Sequence, residues 1–373
     1  AYRDIIPHSL TNRAVGIVRS KVPPPSDKVI RQALEWALGN MLSYGITSFV
    51  VASNGFVAGS EREAKLYAQL ADEKILKQRI RLCLNWRPEA INSKVIAERQ
   101  KYEREGLQLD CVKLFMDGVP TDSHTAAMLA PYSDTIEGRD DEASRYGLLL
   151  FKPEEVNDIV TRADKQGLTV KFHAAGDAAV RAGLDAIEAA RKANGMNKLW
   201  HNVGHSTFIS KGDLGRAKAL HAAFELSPYL WSPSPINDDI TKATGAERIK
   251  RVWPFREVID AGAPIVAGSD WAVVPSVNPW LAIEALVTRE LPGGSEKSFG
   301  KPQAISLREA IELFTVNAAK HMGMQGKLGK LSEGMLADLI VLDRDPFSIP
   351  ATELHKVTVT LTMVNGKIAY QTN

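Results

Sequence analysis

Hydrophobic and β-branched positions gather into seven short runs along the chain: residues 46–51 (ITSFVV), 79–86 (RIRLCLNW), 111–118 (CVKLFMDG), 168–176 (LTVKFHAAG), 199–207 (LWHNVGHST), 221–228 (HAAFELSP) and 263–270 (APIVAGSD). Most are nearly continuous in apolar character, as a strand buried on both faces must be. Between them the period lengthens to that of helices, and the helix ends are legible. Ser26–Asp27 caps a helix that Gly45 stops, and Pro153 opens one that Gly167 closes. Asp177 caps a third that Gly195 closes, while Ser306 and Glu309 form a capping box for the helix LREAIELFTVNAAKHMG. Strands alternating with helices predict a parallel sheet with right-handed crossovers. Seven strands fall one short of a (β/α)8 barrel, whose units take roughly 30 residues each.

After Met322 the texture changes. KLGKLSEGMLADLIVLDRD and VTVTLTMVNGKIAYQ are strand-rich, with a hairpin signal at Asn365–Gly366. We therefore divide the chain into an α/β barrel over residues 1–325 and a β segment over 326–373. The β segment is too short to bury its own core. It should need strands from elsewhere, and residues 1–45 contain none that look suitable.

Charge and composition remove several classes of function. The 46 basic and 44 acidic residues leave no basic face for nucleic acid or an anionic membrane. No apolar run approaches the roughly 18–20 residues of a membrane span. Cys83 and Cys111, both in predicted strands, read as small core residues without a disulfide, in the reducing cytoplasm. The chain opens AYRDIIPHSL, with neither an initiator Met nor a signal segment, and we expect it to be part of a longer protein.

The candidate chemistry sits at strand ends, where (β/α) enzymes present their functional groups. His173 ends one strand, His205 the next 32 positions on, and Asp270 a third after a further 65, near-integral numbers of βα units. Lys113, inside CVKLF, is costly to bury charged. Together these four could hold a metal. Each also has a plainer reading: His173 as a hydrogen-bonded structural residue, Asp270 as a helix N-cap, Lys113 as the partner of a carboxylate such as Asp117. His201 lies four residues before His205, so both should point to one side of the strand, roughly 13 Å apart. His205, nearer the carboxyl end, is then the ligand, and His201 a buried core or supporting histidine. Asp117 and His124 belong to a long loop (118–150) that, with 227–253, should wall the site. Tyr229, Trp231 and Trp271 could line it or simply pack.

The order KLFMDG, HTAAMLAPYSD, KFHAAGDAAVRAGLDAIEAAR, GAERIKRVWPFREVIDAGAPIVAGSDWAVVPSVNPWLAIEALVTR, FTVNAAKHMG and GKLSEGMLADLIVLDRDPF resembles the amidohydrolase superfamily. It looks most like amidohydrolase family 3, which includes the N-substituted formamide deformylases, and the likeness runs from about Arg13 to Lys367. The resemblance implies a TIM-like barrel with a β-sandwich built from both chain ends, of which 326–373 would be half. It implies a metal-dependent hydrolase of amide, formamide or cyclic amide bonds acting through a metal-activated water. His173, His205, Asp270 and Lys113, the last carbamylated in binuclear members, would be the metal ligands. Asp270 would exchange the proton of the water, and His205 would serve the catalysis as well. One or two divalent ions are expected, zinc by default, with iron, manganese and nickel close behind.

Two departures stand out. The family's first strand ends in a His-x-His pair, absent here, so the barrel is expected to lack its first strand. The acidic residue the family often has before the strand-six histidine is Gly204 here. The alternative is therefore an incomplete or non-catalytic barrel without a full metal site. Open strand edges would be covered by homo-oligomerisation or by a complementing amino-terminal segment. A nicotinamide-binding protein is disfavoured because no strand is followed by G-x-G-x-x-G.

Overall fold

The computed structural model describes residues 21–23, 25–55, 57–86, 94–230 and 235–372. All seven expected strands form: β1 (Ser48–Asn54), β2 (Arg79–Asn85), β3 (Leu107–Phe115), β4 (Thr169–Ala174), β5 (His201–His205), β6 (Ala222–Leu226) and β7 (Ile265–Ala267). They pair in chain order as one parallel sheet, with β1 and β7 at its edges among the described residues. Such a sheet fits a TIM-like barrel architecture.

The helices cover the sheet with apolar stripes at helical spacing. Pro153–Lys165 buries Val156, Ile159, Val160 and Ala163, and Asp177–Asn194 buries Val180, Leu184, Ile187 and Ala190. Small residues let the second helix lie close to the sheet: a Cβ on Gly183 would touch the Phe172 ring at 3.5 Å. The capping box of Ser306 and Glu309 forms as expected. The helix it starts is nonetheless broken, into Leu307–Phe314 and Val316–His321. At the break the Thr315 hydroxyl donates back to the carbonyl of Ile311 (2.9 Å), and Gly329 approaches so closely that a Cβ there would lie 2.9 Å from Val316 Cα.

Residues after Met322 form a three-stranded antiparallel sheet of β8 (Leu339–Leu342), β9 (Val359–Val364) and β10 (Lys367–Gln371). The β9–β10 turn places Asn365 and Gly366 at φ 49° and 76°, the left-handed pair such a hairpin demands. A helix lies against this sheet, while Ile340, Val341 and Ile368 on it remain exposed. Asp27–Ser43 packs on it, the Thr362 hydroxyl donates to the carbonyl of Leu42 (2.7 Å), and a Cβ on Gly45 would meet Ile340 at 2.7 Å.

The cysteine reading fails. Cys83 and Cys111 are directly opposed in the β2–β3 ladder, with Cα atoms 4.2 Å apart, and form a disulfide. Their separation of 28 residues is about one βα unit, which is why they arrive side by side.

Behind β5 lies a buried polar cluster. Asp164 accepts hydrogen bonds from Arg191 (2.6 Å), Asn197 and Asn194 (3.0 Å each) and His201 (3.0 Å). His201 Nδ1 accepts from the amide of Val170 (3.0 Å), so its proton must sit on Nε2, facing Asp164. Burial lowers the His201 pKa against the pull of Asp164. Burial raises that of Asp164, but its hydrogen bonds from His201, Asn197 and Asn194 outweigh this and hold it below the usual carboxylate range. Removing one member strands buried charge. Asp164→Ala should cost about 3–5 kcal/mol in chemical denaturation. Both folded-state pKa values lie below their ordinary ones, so the stability they confer is present at neutral pH and declines on acidification. The decline starts near the ordinary His value of 6.5 and continues through the carboxylate range. Denaturation midpoints flat from pH 7 to 4 would show that the cluster carries no such linkage.

Candidate functional site

Two rows of side chains cross the middle of the sheet. In one, Lys113, Lys171 and Asn202 are register neighbours on β3, β4 and β5. In the next, toward the strand carboxyl ends, stand Phe115, His173, Gly204 and Glu225, on β3 to β6. His205 closes β5 one position further on, and its ring meets that of His173 edge-on, with centroids 4.7 Å apart. The Lys113 amine lies 4.9 Å from the centre of Phe115, whose ring is 5.5 Å from that of His173. The structure thus brings His173 and His205 together, with Lys113 close by.

The even spacing of His201 and His205 does not put them in one environment, contrary to expectation. His201 turns to Asp164 in the helix layer, whereas His205 meets His173 and places Nδ1 3.3 Å from the Ser227 hydroxyl.

Asp270 lies three residues beyond β7, in the left-handed region at φ 56°. It is not the N-cap of the next helix, Pro279–Thr288, which Asn278 caps. Its carboxyl makes no hydrogen bond to either imidazole among those described. It is coupled by charge to Lys113, Glu225 and Lys171.

Burial sets the protonation of the whole group. It lowers both imidazoles, His205 to about 3, with the neighbouring Lys113 adding to the effect. It pushes Lys113 down to about 7, helped by Lys171 and opposed by Glu225, Asp270 and Asp117. It raises Asp270 to about 6, with Lys113 pulling the other way. Neutral imidazoles and a partly neutral amine are what a metal requires of its ligands. The donors fit such an ion only in part: among the described residues no three His, Cys, Asp or Glu side chains are grouped as ligands.

Lys171 and Glu225 were not picked out from the sequence. They form a buried ion pair, and Asn202 adds bonds to both, 3.2 Å from the Lys171 amine and 3.0 Å from Glu225. Two glycines make room for it. A Cβ on Gly204 would meet Glu225 Cβ at 3.3 Å, and one on Gly268 would meet Oε1 at 2.5 Å. Burial raises the Glu225 carboxyl, yet Lys171 more than offsets this and holds it ionised. The signal was present: a lone charge inside each of two otherwise apolar strands, Lys171 sharing a face with His173.

The wall residues divide. Asp117 does not pair with Lys113. Its oxygens accept the amides of Ala127 (3.0 Å), Ala175 (2.9 Å) and Gly176 (2.8 Å). His124 has both ring nitrogens engaged, at Ser144 O and Asp134 Oδ1 (2.6 Å each), and stacks on Tyr132, so it serves the loop. Asp177 is the first residue of its helix, with Gly176 at the N-cap position, and its carboxyl instead accepts the amide of Leu129. Tyr229 bonds the carbonyl of Val277, and Trp271 contacts Trp36 at 5.9 Å between centroids. Trp231 lies outside the described residues.

A parallel α/β sheet with polar side chains gathered toward its strand ends is the architecture of the TIM-like (β/α) barrel proteins. The family profile of the amidohydrolases (amidohydrolase family 3) matches residues 3–370, and the chain belongs to that family. It is 26% identical over 364 residues to the YtcJ protein of Bacillus subtilis, covering 97% of this chain and 65% of that one. It is 28% identical over 228 residues to the N-substituted formamide deformylase of Arthrobacter pascens, covering 60% of this chain and 41% of that enzyme. An uncharacterized metal-dependent hydrolase from Pyrococcus horikoshii superposes with a TM-score of 0.72 at 25% identity, over 91% of this chain and 64% of that one. The chain thus spans less than two thirds of the length of these relatives.

The Lys171–Glu225 pair gives a direct test of the site's construction. Lys171→Met leaves Glu225 buried without its counter-charge and should destabilise the protein by about 3–5 kcal/mol. Lys171→Met with Glu225→Leu should recover most of that loss in denaturant titrations. Equal destabilisation in the single and double variants would show that the two residues do not act as a pair.

Proposed function

We propose that the protein is a hydrolase of C–N bonds in an amide, formamide or cyclic amide. His173 and His205 would hold a divalent metal, zinc first among the candidates, with Lys113 and Asp270 beside them. When bound, the metal supplies Lewis acidity and a water acidified toward a pKa of about 7. The observation that carries the reading is the edge-on meeting of two neutral imidazoles at adjoining strand ends, with Lys113 close to them. The family membership and the metal-dependent hydrolase among the solved relatives support it.

The residues divide the remaining work. Asp270, raised to about 6 by burial, is chiefly carboxylate at neutral pH yet basic enough to accept a proton from the attacking water and return it to the departing amine. Lys113, lowered to about 7, has enough free amine to be a ligand itself or to add carbon dioxide and become a carbamate. Glu225 neutralises Lys171, so no surplus of cations awaits a phosphoester, and a neutral amide suits the site better.

The second reading, a barrel without a full metal site, draws on the absence of a three-ligand group among the described residues. Metal titration separates the two. Under the first reading the purified protein binds zinc, and His173→Ala or His205→Ala weakens binding by more than tenfold. His201→Ala should keep the metal and lower the thermal midpoint. Asp270→Asn should keep the metal and reduce kcat on an N-formyl or N-acyl amine by about 10²–10⁴-fold. Equal metal loss from the His201 and His205 variants at unchanged thermal midpoints would refute the assignment of ligands.

A further inference from the structure

Beside the site lies a buried carboxylate that the mechanism leaves unused. Asp117 follows β3 by two residues and is 3% exposed. It makes no hydrogen bond to a lysine or arginine; its Oδ1 lies 3.8 Å from Nε2 of His173, too far for a hydrogen bond, and its hydrogen-bond partners are three backbone amides from two separate segments. Ala175 and Gly176 belong to the turn directly after His173, and Ala127 to the long loop above it.

Ala127 is clamped on its other side as well. Its carbonyl accepts the amides of Ala178 (3.0 Å) and Ala179 (3.4 Å), in the first turn of the helix Asp177–Asn194. The fit there is close enough to demand glycines. A Cβ on Gly176 would fall 2.0 Å from the Ala127 carbonyl oxygen, and one on Gly147 would fall 1.8 Å from that of Ala126.

The residue after Asp117 completes the connection. The carbonyl of Gly118 lies 2.9 Å from Nε2 of His173. A carbonyl can only accept, so Nε2 carries the proton and Nδ1 is left with the lone pair. The amide of Gly118 is held in turn by the carbonyl of Thr125 (2.9 Å), and the amide of Met116 by the carbonyl of His173 (2.8 Å). Asp117 therefore sits at the centre of a loop that grips His173 by both backbone and ring.

We infer that Asp117 is a positioning residue: by tying the 125–129 segment and the Ala175–Gly176 turn to the end of β3, it holds the Gly118 carbonyl against His173 and fixes which ring nitrogen faces the site. The inference rests on the reading of His173 as a metal donor. Partners that orient a metal-binding histidine typically matter 10- to 100-fold in affinity.

The test is Asp117→Asn in the full chain, read by zinc affinity in a chelator competition, by nitrogen NMR of the histidine rings and by thermal midpoint. We expect zinc affinity to fall by about 10–100-fold, and the His173 signals to move from a single Nε2-protonated tautomer to a mixture. Unchanged tautomer and zinc affinity within twofold of wild type would overturn the inference. His173→Ala is the control: if it leaves zinc affinity unchanged, the ligand assignment fails; if it abolishes binding while Asp117→Asn does not, only the role of Asp117 fails. Should Asp117→Asn not fold, hydrogen exchange on the unaltered protein decides. Zinc should slow exchange at the amides of Ala127, Ala175 and Gly176, because coupling between ligand and clamp is reciprocal. No change in their rates on saturation with zinc would overturn the proposal.

Discussion

A parallel ladder leaves no freedom in which side chains become neighbours, and in this sheet that constraint acts on charge. Lys113, Lys171 and Asn202 share one buried row, and His173, Gly204 and Glu225 the next, which is at most slightly exposed. Ionised groups there are tolerated only when paired. Lys171 and Glu225 meet this demand for each other; Lys113 meets it by giving up much of its charge. The same burial keeps both imidazoles neutral, the form in which we propose they hold a metal, so one cause acts on both. Gly204 and Gly268 are the steric counterpart, small residues where Glu225 needs the space.

The strands, the hairpin at Asn365–Gly366 and the capping box at Ser306 were legible because each is local. Apolar runs, a turn pair and a box of two residues need no knowledge of what lies across the sheet. Depth along a strand was legible too, and the structure places His173 and His205 at the ends of adjoining strands as expected. Lateral neighbours were not. The Cys83–Cys111 disulfide and the Lys171–Glu225 pair depend on register between strands, and a spacing near one βα unit is only a hint of it. Strand parity misled at His201, which faces the helix layer while His205 faces His173. Asp117 was placed in the wall but given a plausible lysine partner, because backbone amides leave no mark in a sequence.

The two buried polar centres answer to different rules. Around Asp164 every donor has its acceptor, and the cluster fixes how the helices Pro153–Lys165 and Asp177–Asn194 seat behind β5. At the strand ends each of the two imidazoles has one ring nitrogen engaged among the described bonds, that of His173 at the Gly118 carbonyl and that of His205 at the Ser227 hydroxyl. Saturated hydrogen bonding marks the framework; unsaturated donors at adjoining strand ends mark where chemistry can enter.

The hydroxyl of Thr362 reaches the carbonyl of Leu42 across 320 residues of chain. On a ribosome the helix Asp27–Ser43 would therefore emerge long before the strand that covers it. Its sheet-facing side, with Leu42 buried in the finished molecule, must wait for nearly the whole barrel to be synthesised. At about 5–20 residues per second this interval is of the order of tens of seconds. Through that time the apolar side stays exposed, and β9 and β10 are the strands that end the exposure.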